Sequence, residues 1–267
     1  MYVPHRLRLL LCWLFLLPAV LITPRDAFTA APVLPSAMNL CVVENNPPFA
    51  FRNTEKELTG FNVDMWNAMN IPYAFTYRHP DFPTALAALD GGFCHMLLTN
   101  ISITPERMQR FTLSEPYLRS GLGIMVRGAE MDIDEPLDLK EKTVAVLKGS
   151  TAENFAMTNF KSGELLALNS EFDLYSALVD MKADAIIGDL PMMQHFATHE
   201  GRGFVRILNV SLTPQLYAYG FSHGVEAVRD SVNAAIKRLQ ADGTVNLLYQ
   251  KWFGAALVST PLTNMIE

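Results

Sequence analysis

Long apolar runs are missing from this 267-residue chain, apart from one of 14 residues, Leu9–Ile22, broken by Pro18. A membrane-spanning helix needs roughly 20, so no span is expected. Cysteine is scarce. Cys12 lies inside that run, which leaves Cys41 and Cys94, each in an apolar, strand-like stretch. A disulfide between them is open in an oxidising compartment, but lone cysteines in such stretches are more commonly buried thiols, and thiols are expected. Basic residues are outnumbered, 21 against 27 acidic. That balance disfavours binding to nucleic acid or anionic lipid through the overall field. Low-complexity tracts are absent, and no histidine follows His223.

What is present begins with His5, Arg6 and Arg8, then the apolar run, then Ala27, Thr29, Ala30 and Ala31. Basic, apolar and small residues in that order are expected to form a secretory signal peptide, residues 1–31. Cleavage near Ala31 leaves 18 basic and 26 acidic residues in an exported, soluble chain. The remaining length suffices for one large or two modest domains.

From Asn39 onward strand-like and helix-like segments alternate, which predicts an α/β architecture with mostly parallel sheets. The first series reads as a strand at 39–43, a helix with Phe61, Met65, Trp66 and Met69 on one face, a strand at 73–77, a helix at 82–89 and a strand at 93–98. An extended segment around LRSGLGIMVRG and an acidic linker at 129–135 follow. The second series holds TVAVLKG as a strand, a helix opened by a capping box of Ser150 and Glu153, a helix at 170–181, the strand AIIG and a helix from Pro191. QLYAYGF reads as a returning strand. A stripe of Val225, Val228, Val232, Ile236 and Leu239 and a short helix ending in KWFG close the pattern.

Three short motifs carry little chemistry. Gly220-Phe221-Ser222-His223-Gly224 fits a hydrolase elbow, but that fold needs a later histidine. His195 and His199 share a helix face without a third ligand or the glutamate of a zinc protease. Gly121-Leu122-Gly123 lacks a third glycine and a following helix. No metal or cofactor is expected.

Arg107 is different. Thr104, Pro105 and Glu106 suit a helix start, yet Arg107 places a cation in the first turn, where the dipole disfavours it. An anion outside the helix would make that placement favourable, because guanidinium and free N–H groups bind it together. Ser102 sits near the end of an apolar strand, Gly149-Ser150-Thr151 sits at a strand-to-helix junction, and Asp189 directly follows a strand. Ligands of open α/β sheets bind at such carboxyl ends. If the two series form facing lobes, these groups complement a carboxylate and an ammonium on one small molecule.

The stretches PPFAF, LTGFNVDMWNAM, ISITPERMQRFTLSEPYLRSG, TVAVLKGST, KADAIIGDLP and ADGTVNLLYQKWFG occur in the order found in periplasmic amino-acid-binding proteins of ABC importers. From about Val42 to Gly254 the chain resembles that family, in pattern the glutamine and lysine/arginine/ornithine binders. The resemblance implies a two-lobed periplasmic binding protein fold of type II, two parallel-type sheets with flanking helices. Its lobes would be 38–126 with 218–256, and 127–217, followed by a tail at 257–267, with hinge crossings near Met125–Arg127 and Tyr217–Gly220. It also implies that Arg107, Ser102 and Thr151 hold the ligand carboxylate, that Asp189 takes the ammonium, and that Phe82 lies beside the aliphatic part.

Several positions depart from the family pattern. The second ammonium-binding acid has no clear equivalent, its place falling to Val43 or to Glu44. Asn46 stands where an aromatic usually covers the ligand, Asn100 where Gly or Ser is usual, Leu147 where one relative has Lys, and Gly188 where it has His. The implied function is capture of a small carboxylate, foremost an α-amino acid, by a monomer that delivers it to a membrane permease. The alternatives are a periplasmic lyase resembling cyclohexadienyl dehydratase, with Glu44 as the candidate acid, and a ligand-binding module for a membrane sensor.

Overall fold

The computed structural model describes residues 35–160 and 163–254, all within the compact unit Pro32–Glu267. The expected signal peptide, 1–31, and tail, 257–267, lie outside the described residues. Strand β1 (Leu40–Val43) is followed by three short strands, β2 (Asn45–Asn46), β3 (Ala50–Arg52) and β4 (Leu58–Thr59), which pair as a small antiparallel sheet. Helix α1 (Phe61–Met69) buries Phe61, Met65, Trp66 and Met69, the face its periodicity marks. Next come β5 (Tyr77–His79), α2 (Phe82–Asp90), β6 (Met96–Ser102), α3 (Pro105–Arg110), β7 (Thr112–Leu113) and the long β8 (Leu118–Arg127). The second series comprises β9 (Thr143–Leu147), α4 (Thr151–Asn159), β10 (Glu164–Leu168), α5 (Glu171–Val179), β11 (Ala185–Asp189), α6 (Leu190–Thr198) and β12 (Val205–Ile207). The long β13 (Thr213–Phe221) then leads into α7 (Glu226–Ala241) and α8 (Thr244–Phe253). Among the described residues no helix is long and apolar enough to cross a membrane.

The main sheet runs β10-β9-β11-β8-β13-β6-β1-β5. Its two ends are parallel triplets, β10/β9/β11 and β6/β1/β5, and the two long strands between them pair antiparallel with their neighbours. The two expected parallel sheets are thus halves of one ladder. β8 pairs with β13 over Leu118–Leu122 and with β11 over Leu122–Val126. β8 thus joins both halves of the ladder, with Leu122 paired to each neighbour. Hydrophobic side chains divide the same way: Leu118 and Tyr217 join the core under α1 and α7, whereas Leu122, Ile124 and Val126 join the core under α4.

Both outer strands were misplaced or unread from sequence, for one reason. β5 lies at 77–79 instead of 73–77, and β10 was not read at all. Edge strands keep one flank in solvent, so Tyr77 and Arg78 are exposed and β10 alternates weakly. Tyr73 and Phe75 supply the apolar signal but pack on the core from a loop. β6, buried at all seven positions, extends to Ser102 instead of stopping near Leu98.

The expectation of free thiols is overturned: Cys41 and Cys94 form a disulfide, their Cα atoms 5.8 Å apart. The loop entering β6 brings Cys94 beside β1, a proximity that apolar runs 53 residues apart do not reveal. Both residues are fully buried in the cluster under α2, with the His79 ring 3.4 Å from the Cys94 sulfur. Closing a loop of this length stabilises a fold by about 2–4 kcal/mol. Reduction should therefore lower the melting temperature by several degrees, read by thermal denaturation with and without dithiothreitol; an unchanged midpoint in protein confirmed to be reduced contradicts this.

Candidate functional site

Four strand ends of the main sheet point at one place. Val43 ends β1, Asn100 and Ser102 end β6, Leu147 ends β9 and Asp189 ends β11, and all line one inner cavity of about 30 Å³. Helix starts meet them there. Asp81 and Phe82 open α2, Ser150 and Thr151 open α4, and Ser170 and Glu171 open α5. The cavity is therefore walled by strand carboxyl ends and helix amino ends from both halves, the arrangement that favours anion and dipolar ligands.

Arg107 reaches this cavity from α3. Thr104 caps that helix by accepting from Arg107 N–H at 3.2 Å, and Pro105 sets its first turn. The guanidinium is buried, with 5% of the residue exposed. It donates to two backbone carbonyls, Ser102 at 3.0 Å from its own half and Gly149 at 3.1 Å from the other. No carboxylate pairs with it among the described residues. Its carbon lies 5.5 Å from the centre of the Phe82 ring, a cation–π contact. Burial lowers its pKa, and the field of Asp189 works against that.

Asp189 precedes α6 but makes no side-chain cap there. Its carboxylate instead accepts from Asn100 Nδ2 at 3.2 Å. Burial raises its pKa from 3.8 to about 6, against the downward pull of the Tyr217 hydroxyl, Arg107 and Asn100. The Tyr217 hydroxyl is near enough for that pull but lacks a well-aligned partner. A relay runs outward from the acid: Asn46 Nδ2 donates to Asn100 Oδ1 at 2.7 Å and to Thr99 Oγ1 at 3.1 Å. Among the described residues Asn46 Oδ1 is buried without a hydrogen-bond partner. An unsatisfied buried acceptor is costly, so this oxygen calls for a donor.

Ser102 and Thr151 come together through Gln215 of β13, a residue that sequence reasoning missed. Ser102 Oγ donates to Gln215 Oε1 at 2.7 Å, and Gln215 Nε2 donates to Thr151 Oγ1 at 2.6 Å. The capping box at α4 is displaced by one residue: Ser150 Oγ accepts from Glu153 N–H, whereas Glu153 accepts from Gly149 N–H. Of the seven candidate residues, six line the cavity. Glu44 does not; Arg52 holds its carboxylate at 2.8 Å, and Val43 and Asn46 face the cavity from that end.

Glu171 was also missed. Reading it requires β10, whose end delivers the chain to Ser170, the cap of α5. Its carboxyl lines the cavity, and burial followed by the field of Asp189 pushes it from 4.5 up to about 8, partly offset by the Tyr175 hydroxyl.

Residues 38–255 match the model of bacterial extracellular solute-binding proteins, family 3. The chain belongs to that family. The L-cystine-binding protein TcyJ of Escherichia coli strain K12 is 27% identical to this solute-binding protein over 212 residues, 78% of this chain and 79% of the relative. The L-arginine-binding protein of Pseudomonas aeruginosa is 29% identical over 221 residues, covering 78% and 84%. Among solved structures, the GluR0 ligand-binding core from Nostoc punctiforme, in complex with L-glutamate, superposes with a TM-score of 0.73 at 32% identity, covering 82% of this chain and all of that one. An ancestral arginine-binding protein shares the fold, with a TM-score of 0.76 at 24% identity over 82% of this chain and 98% of its own. These neighbours are two-lobed, and the two halves of the ladder are the lobes.

The raised carboxyl of Glu171 has a consequence for stability. A group whose folded pKa exceeds its unfolded value stabilises the fold fully below the unfolded value and loses that contribution as pH rises through the folded one. For Glu171 the window is 4.5 to about 8. Glu171→Gln removes the titration, so its melting temperature relative to wild type should climb by several degrees between pH 5 and pH 8.5. Parallel curves across that range contradict the assignment.

Proposed function

We propose that this protein captures an α-amino acid between its two lobes in the periplasm, as a monomer, and passes it unchanged to the permease of an ABC importer. One observation carries the reading: a buried guanidinium and a recessed carboxylate face the same cavity without pairing with each other. A zwitterion satisfies both. The α-carboxylate takes Arg107 together with the hydroxyls of Ser102 and Thr151, replacing the amide of Gln215 that now bridges them. The α-ammonium takes Asp189 and the open oxygen of Asn46, replacing the amide of Asn100 at the acid. Phe82 covers the aliphatic part beside the guanidinium.

The cavity of about 30 Å³ is far too small for an amino acid, so seating one separates contacts that now join the lobes. Those are the bonds from Arg107 to Gly149, from Asn100 to Asp189, and through Gln215. Opening and closing about these contacts is the motion that loading requires. Relatives named for binding cystine and arginine, and a structural neighbour holding L-glutamate, support the ligand class. Conversion of the ligand is not part of the reading, because Glu44, the acid a lyase would need, is turned to Arg52.

Calorimetry on the ligand identified by a thermal-shift screen of amino acids tests the clamp. Truncating one partner of a desolvated charge pair costs about 2–5 kcal/mol, or about 30-fold to several-thousand-fold in affinity. Arg107→Ala should lose that much, and Arg107→Lys should also bind poorly, because an ammonium cannot reproduce the planar fork. Binding within threefold of wild type rules the clamp out.

The ammonium site is tested by a double-mutant cycle with Asp189→Asn and the des-amino ligand. The variant should weaken the amino acid strongly and the des-amino acid hardly at all. A coupling near zero would leave a simple carboxylic acid as the ligand.

A further inference from the structure

We propose that Glu171 selects the side chain of the ligand, and that the side chain it selects ends in a cationic nitrogen group, an ammonium or a guanidinium. The proposal rests on the α-amino-acid reading above. The inner cavity continues into a groove of about 850 Å³, and the two share Asn45, Pro80, Asp81, Ser170, Glu171 and Met192. Of these two spaces Arg107 and Asp189 line the inner one and not the groove. An amino acid held by its head group at those two residues therefore sends its side chain outward past Glu171.

The groove asks for a cation. Acids in its lining include Asp81, Asp173, Asp180 and Glu200 besides Glu171, and the sole arginine or lysine there, Arg52, is held by Glu44. Three of these acids are engaged: Asp81 caps α2, Asp173 accepts from the Ser170 hydroxyl, and Asp180 pairs with Lys182. Glu171 has no ion-pair partner among the described residues. Beside it the Tyr175 hydroxyl is buried without a well-aligned hydrogen-bond partner, on a residue only 8% exposed. A guanidinium or ammonium between them satisfies both oxygens. The Tyr175 ring stacks on Phe196 with centroids 3.9 Å apart, and with Phe51 these rings offer aromatic faces to a methylene stem and its charge.

The charge state of Glu171 supplies a readout independent of mutation. Asp189 from β11 and Tyr175 from its own helix act on it directly, and the other charged or titratable groups that share its spaces are Arg107 and Asp81 in the inner cavity and Arg52, Asp173, Asp180, His195 and Glu200 along the groove. Burial and Asp189 hold its carboxyl protonated at neutral pH, with a pKa of about 8. A cation set against it favours the carboxylate, so binding releases a proton, and affinity for a cationic side chain rises from pH 6 to pH 8. A neutral side chain leaves Glu171 protonated, so its release is confined to the small share of protons held by Asp189 at pH 7.

Isothermal titration calorimetry with arginine, lysine and their neutral counterparts citrulline and norleucine tests this on wild type and Glu171→Gln, in paired buffers of different ionisation enthalpy at pH 7. The expected result is that wild type prefers arginine or lysine over its counterpart by at least about tenfold and releases a proton on binding it. In Glu171→Gln the cation should weaken by about 30-fold or more, while the neutral ligand shifts less than about threefold. A preference that survives the substitution, or binding of the cation by wild type without proton release, overturns the proposal. Binding of neutral amino acids but of neither arginine nor lysine also overturns it, and leaves the α-amino-acid reading standing. Failure of every amino acid in wild type overturns both.

Discussion

A buried guanidinium that no carboxylate pairs with among the described residues is the constraint on which the rest of this structure depends. Desolvating a cation costs several kcal/mol unless other groups replace the lost water. Around Arg107 those groups are two carbonyl oxygens, the face of Phe82 and the field of Asp189. One carbonyl is Ser102, at the end of a strand buried along its whole length, and the other is Gly149, in the turn before α4. The same side chain that gives the cavity its positive charge thus also ties the lobes together. Under the proposed function a ligand carboxylate competes for a group already engaged in closure, which would couple binding to lobe movement through a single residue.

The opposite wall is built from acids at helix starts. Asp189 and Glu171 sit at the amino ends of α6 and α5, where the dipole favours negative charge, while burial favours protonation of both and the field of Asp189 adds to it at Glu171. Burial wins, since both pKa values rise. The free site holds part of its electrostatic cost as bound protons, which under the proposed function an incoming ammonium would replace. Asn46 and Asn100 extend this wall with amides whose donors are used and whose outermost acceptor is open.

The disulfide acts on the edge of the site from behind. Cys41 lies in β1, which pairs with β5, and β5 runs directly into Pro80, Asp81 and Phe82. Linking β1 to the entrance of β6 holds the strands that carry Val43, Asn100 and Ser102 in fixed relation. In the other lobe, where the described residues contain no disulfide, packing under α4, α5 and α6 performs that task.

Much of the molecule follows from local pattern. Helix faces such as that of α1, the caps Thr104, Ser150 and Ser170, and the unfavourable cation in the first turn of α3 are consequences of residues within a few positions of one another. So is the strand end that carries Asp189. What the tertiary structure decided is non-local. Edge strands β5 and β10 hide because one flank is wet, and with β10 unread the place of Glu171 is lost. The pairing of Cys41 with Cys94, the bridge of Gln215 across two hydroxyls and the turning of Glu44 toward Arg52 depend on which strands become neighbours and in what register. Periodicity records which side of an element is dry; it carries no distance to the element that covers it, and a binding site is made of those distances.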